Sequence, residues 1–171
     1  MRLTLQYPLD RAALARYLGY PSHQPPARDL PLLQQAEREI LKTAAPRCVF
    51  ARFALARTEE GLLLGDTEIL LEGEDIARHL AGCHSAILFA ATLGAGIDRL
   101  LLQAQVQDLA RSVMLDAAAS VAAEQTAEGA QRAAEAALCK EGEYHTGRFS
   151  PGYGDLPIGL QRPLIPLLDA P

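Results

Sequence analysis

The stretch Asp108–Leu138, DLARSVMLDAAASVAAEQTAEGAQRAAEAAL, governs how the rest of the chain is read. It holds no proline, and Leu109, Val113, Ala117 and Val121 recur every four residues, the apolar stripe of one long helix. Asp108, Ser112, Asp116, Ser120, Glu124 and Glu128 recur at the same spacing beside it. That polar stripe is by default a solvated face, although one or two of its acids could face a cleft. The many alanines allow a neighbouring element to approach closely.

Upstream of this helix the periodicity changes. Leu9–Leu18 and about Pro31–Ala45 have helical spacing, the first ended by Gly19 and Pro21 and the second by Pro46, with the proline-rich SHQPPARDLP between them. RCVFARFAL, residues 47–55, alternates as a half-buried strand does, and Leu62–Leu64 and Thr67–Leu71 flank Gly65-Asp66 as the arms of a hairpin. Glu74–Leu80 suits a short helix with acids in its first turn, and Ala86–Thr92 a buried central strand. Gly94 and Gly96 open a further helix, but Arg99 occupies the third glycine position of a dinucleotide-binding fingerprint, so a nicotinamide-type site is a weak reading. Helices, then strands, then a long helix and a loop describe an α+β chain better than a βαβ series.

The 171 residues suffice for one core, so the expectation is a single domain over 1–171. With 49% hydrophobic residues the chain can fold, and 16 Lys+Arg against 21 acids, net −5, without a basic cluster, argue against nucleic acid as a partner. The stretch Gly82–Ile97 lacks charged residues but is shorter than a bilayer span, and Asp10, Arg11 and Arg16 interrupt any signal-peptide core. A cytoplasmic protein that does not enter the membrane is expected. Cys48, Cys83 and Cys139 are isolated and the histidines scattered, so reduced cysteines and no protein-held metal are expected.

The segment RFSPGYGDLP, residues 148–157, carries the most chemistry. Arg148 offers a planar fork for a carboxylate, Gly152 and Gly154 permit close backbone approach, and Phe149 and Tyr153 offer aromatic faces. From composition alone Pro-Gly-Tyr-Gly reads rather as a tight turn with an aromatic plug than as a binding loop.

The R-x-x-x-G-Y pattern of Arg148, Gly152 and Tyr153 resembles the S-adenosylmethionine motif of the activation domain of cobalamin-dependent methionine synthase, especially its stand-alone bacterial relatives. RYLGY (16–20), AAPRCVFARF (44–53), LEGEDIARHLAGC (71–83), FAATLGAGIDRLL (89–101) and LDAAASVAAEQ (115–125) resemble those relatives in the same order. The resemblance implies an activation-domain-like antiparallel sheet packed with helices. The family continues into further β-structure after the LLDA stretch, so the resemblance also implies that this C-terminal part is lacking here.

It implies, too, a module that presents S-adenosylmethionine to the cobalamin of a methionine synthase or related corrinoid methyltransferase, while a flavodoxin-like or other electron-donor protein supplies an electron. The chain would act in trans as an accessory, with no catalytic residue of its own. Arg148 would hold the methionyl carboxylate, Ser150 would contribute backbone groups, and Gly152 and Tyr153 would line the pocket. Glu124, or Ser120 one turn away, would stand where the family has an acid for the ammonium. The alternative is a docking or capping module for a corrinoid protein without productive S-adenosylmethionine binding.

Overall fold

Asp10 sets where the first helix begins: its carboxylate accepts from the Ala12 and Ala13 amides at 2.8 and 3.1 Å, so α1 runs Arg11–Tyr17. Leu9 stands outside the helix with its side chain 1% exposed. A computed structural model describes residues 1–20 and 24–168. Pro21, and the Ser22 and His23 start of the proline-rich linker, lie outside the described residues. The chain packs as two compact units, Met1–Cys48 with Ala91–Ala130, and Val49–Ala90 with the residues from Gln131 on.

The first unit holds α1, α2 (Leu30–Thr43), α4 (Ala95–Gln107) and most of α5 (Leu109–Leu138). Pro31 sits in the first turn of α2, where its missing N–H costs no helical bond. Leu14, Leu33, Ile40, Leu115, Ala118 and Ala122 are fully enclosed in one core. Each such leucine contributes about 1.5–3 kcal/mol on burial. The two glycines that open α4 serve packing: a Cβ on Gly96 would stand 3.1 Å from Thr43 Cγ2, and one on Gly94 3.5 Å from Ala45 Cβ. Arg111 on α5 makes a two-pronged ion pair with Glu39 on α2, and this pair holds the Glu39 carboxyl below its usual range.

The apolar stripe expected on α5 is corrected in its first turns. Leu109 is 74% exposed and Val113 50%, while Leu115, Ala118, Val121 and Ala122 face the core. Ser112, expected on the solvated face, is buried and donates its hydroxyl to the Leu109 carbonyl at 3.1 Å. In so alanine-rich a helix, several faces have nearly equal apolar character, and the larger Met114 and Leu115 decide which one is buried.

The second unit is built on a sheet of β1 (Arg47–Arg57), β2 (Leu62–Leu64), β3 (Leu70–Leu71) and β4 (Ser85–Thr92) in the order β3-β2-β1-β4, so the strand expected to be central and buried stands at one end of this order, and its residues are half-buried or exposed. The chain is thus α+β, with a four-stranded antiparallel sheet and helices that include a long one. The second hairpin arm is shorter than expected because Thr67 closes the turn. Its amide and hydroxyl both donate to the Leu64 carbonyl, and its Oγ1 accepts from the Ile69 amide. Leu62, Leu64 and Leu71 meet Ile76 and Leu80 of the short helix α3 (Glu74–His79) and its end, and Leu156 from the C-terminal loop completes this core.

Candidate functional site

α3 begins at Gly73, a residue with no side chain to satisfy the first amides of the helix. The cap comes from the far end of the sequence. Asp155 accepts from the Glu74 amide at 2.5 Å and from the Asp75 amide at 3.2 and 3.3 Å through its two oxygens. The approach is close on both sides. A Cβ on Gly73, whose φ is +132°, would lie 2.7 Å from Asp155 Cγ, and one on Gly154, φ +52°, would lie 3.0 Å from Asp75 Cβ.

The loop that delivers Asp155 is a double turn. The Tyr153 amide donates to the Ser150 carbonyl at 3.0 Å, with Pro151 and Gly152 as the central residues and Gly152 at φ +96°, the position that favours glycine. The Leu156 amide then donates to the Tyr153 carbonyl at 3.0 Å, and the Gly152 amide to the Leu156 carbonyl at 2.8 Å. Leu156, 4% exposed, pins the loop into the core.

Between this loop and α3 lies an open cleft of about 390 Å³ lined by Asp75, Arg78, His79, Phe149 and Gly154. The volume falls in the range of small-molecule sites. His79 donates Nε2–H to the Gly147 carbonyl at 2.8 Å, since a carbonyl only accepts, and its ring tilts against Phe149 with centroids 5.1 Å apart. Tyr153 meets Phe149 edge-on at 6.3 Å and is 69% exposed. Arg78 Nη1 donates to Asp75 Oδ1 at 3.2 Å, a solvent-exposed pair.

The segment leading into the loop is held by Arg52 of β1. Its two terminal nitrogens donate to the two Glu143 oxygens at 2.7 Å each, Nη1 also reaches the Leu138 carbonyl at 3.0 Å, and Nε reaches Ser85 Oγ at 3.0 Å. These donors, with the Lys140 amide, hold the Glu143 carboxyl down at about 2. Arg52 thus ties the end of α5 to the sheet.

Comparison of the chain with protein-family models and with curated proteins gives no match. Among the described residues no helix is long and apolar enough to cross a membrane. Of the residues expected at an S-adenosylmethionine site, Arg148, Ser150, Gly152 and Tyr153 lie together on the exposed loop of the second unit, and Phe149 between them lines the cleft. Glu124 is an exposed residue of α5 in the first unit, and Ser120 is half-buried there.

Sequence reasoning missed Asp75, Arg78 and His79 as cleft residues and Asp155 as the cap. One signal was present in LEGEDIARHL: Glu74-Asp75 opens a helix after a glycine, with no Ser, Thr, Asp or Asn at the cap, so the missing acceptor had to come from elsewhere.

Proposed function

We propose that this chain is an S-adenosylmethionine-binding module, with an activation-domain-like fold, that supports reductive methylation of the cobalamin of a corrinoid methyltransferase in trans, in the cytoplasm. The observation that carries the reading is the placement of the R-x-x-x-G-Y loop, whose Phe149 forms one wall of a ligand-sized cleft that also presents a carboxylate and a guanidinium. An aromatic face suits a sulfonium, and an arginine fork suits the methionyl carboxylate. In this reading Arg148 binds that carboxylate, and the loop 150–153, next to the Phe149 wall, flanks the adenosyl group. The partner's cobalamin supplies the methyl-accepting cobalt, and a flavodoxin-like donor supplies the electron. This chain's residues bind and orient the methyl donor.

Calorimetric titration with S-adenosylmethionine tests the reading. The wild type is expected to bind in the micromolar to millimolar range, and Arg148→Ala to bind at least about tenfold more weakly, the effect of losing hydrogen bonds to a charged group. No binding by the wild type up to millimolar ligand, or equal binding by the variant, overturns it.

A docking or capping role without productive ligand binding is favoured by one observation: the Gly152 and Tyr153 amides are already bonded within the loop, and the Tyr153 ring projects outward. Complex formation with a cobalamin-loaded corrinoid domain, without S-adenosylmethionine binding by the isolated chain, would select this second reading.

A further inference from the structure

Among the described residues lining the cleft, Asp75 is the only carboxylate. It is placed from three sides: its amide is held by Asp155, Gly154 packs on its Cβ, and Arg78 contacts its Oδ1. The Arg78 side chain is 73% exposed and that of Asp75 42%, so their pairing contributes little to stability and exchanges at little cost. The aromatic wall of Phe149 belongs to the same cleft.

A ligand with an ammonium and a sulfonium meets two different kinds of surface here. The ammonium has three N–H donors and gains most from a carboxylate. The sulfonium has no N–H and is best served by a ring face. Resting on the S-adenosylmethionine reading, we propose that Asp75 is the specificity residue for the ligand's α-ammonium and that Phe149 faces the sulfonium side. The role expected of Glu124 thus passes to a residue on α3. Arg78 holds the Asp75 carboxylate in place when the cleft is empty and gives it up to the ligand.

Three ligands separate the parts of this assignment: S-adenosylmethionine has both cations, S-adenosylhomocysteine only the ammonium, and 5′-methylthioadenosine neither. Titration of wild type and Asp75→Asn with each is the test, with thermal unfolding as the fold control. Asp75→Asn is expected to weaken S-adenosylmethionine and S-adenosylhomocysteine equally, by about tenfold to a hundredfold, as for a lost charged hydrogen bond, and to leave methylthioadenosine unchanged.

Weakening of S-adenosylmethionine alone would place Asp75 at the sulfonium and overturn the assignment. So would equal weakening of all three ligands, or of none. Asp75→Ser keeps the test open should Asp75→Asn fold poorly: it is expected to weaken S-adenosylmethionine and S-adenosylhomocysteine together and to leave methylthioadenosine unchanged, and any other pattern overturns the assignment. A wild type that binds no S-adenosylmethionine overturns the underlying reading as well, a result distinct from binding that is indifferent to Asp75.

Discussion

Glu37→Gln examines the least comfortable group in the first unit. The Glu37 side chain on α2 is completely enclosed; Oε2 accepts from Arg11 Nη2 at 3.2 Å, and Oε1 has no hydrogen-bond partner among the described residues. Burial pushes its carboxyl above the usual range, with Arg11, the Leu9 amide and Arg38 pulling the other way. An unpartnered buried charged oxygen costs up to about 3 kcal/mol and an unpartnered neutral amide nearer 1. The Arg11 side chain is 38% exposed, so its attraction returns only about 0.2–1 kcal/mol.

The neutral variant should therefore be more stable than wild type by about 1 kcal/mol at pH 7, roughly 2–4 °C in Tm for a chain of this size. Because the native pKa is raised, folding takes up a proton. The stability from protonated Glu37 is fully present below about 4.5 and is lost as pH rises through the native value. Thermal and urea unfolding between pH 4 and 8 should show wild type approaching the variant as pH falls. A variant less stable than wild type at pH 7, or a gap independent of pH, would refute the reasoning.

Asp155→Ala should cost about 1 kcal/mol through the lost cap of α3, and Asp155→Asn less, with faster hydrogen exchange at the Glu74 and Asp75 amides as the local readout. Gly154→Ala should cost more than about 1 kcal/mol, because it adds left-handed strain to a contact with Asp75; Gly147→Ala, with open space around it, should stay within about 0.5 kcal/mol of wild type. Arg52→Met should let the Glu143 carboxyl rise from about 2 toward its ordinary 4.5, measurable by NMR titration. The stability given by this ion pair is present above pH 4.5 and lost as pH falls toward 2, so the Tm difference between wild type and variant should shrink in acid and in high salt.

The element order was readable because long-period signals are local. Pro31, Pro46 and the α5 pattern mark helix limits to within a residue or two, and the alternation of residues 47–55 marks β1, although its burial alternates regularly only after Arg52. The buried face of α5 was not readable in its first turns, since among alanines the difference between faces is a few methyl groups and the contacting helices decide. The short second hairpin arm depended on one threonine hydroxyl turning inward to the Leu64 carbonyl.

The candidate site divides in the same way. Arg148, Phe149, Gly152 and Tyr153 are neighbours in sequence, so their presence on one loop follows from the chain itself. The cleft exists only because Asp155 reaches the amides at the start of α3, about eighty residues earlier in the chain. Sequence determined that α3 would begin without a cap of its own and that a glycine-rich loop would carry an aspartate. Tertiary structure alone decided that the two meet, because a hydrogen bond between distant segments is selected by packing, here by Leu156 entering the core beside Ile76 and Leu80, and leaves no periodicity to read.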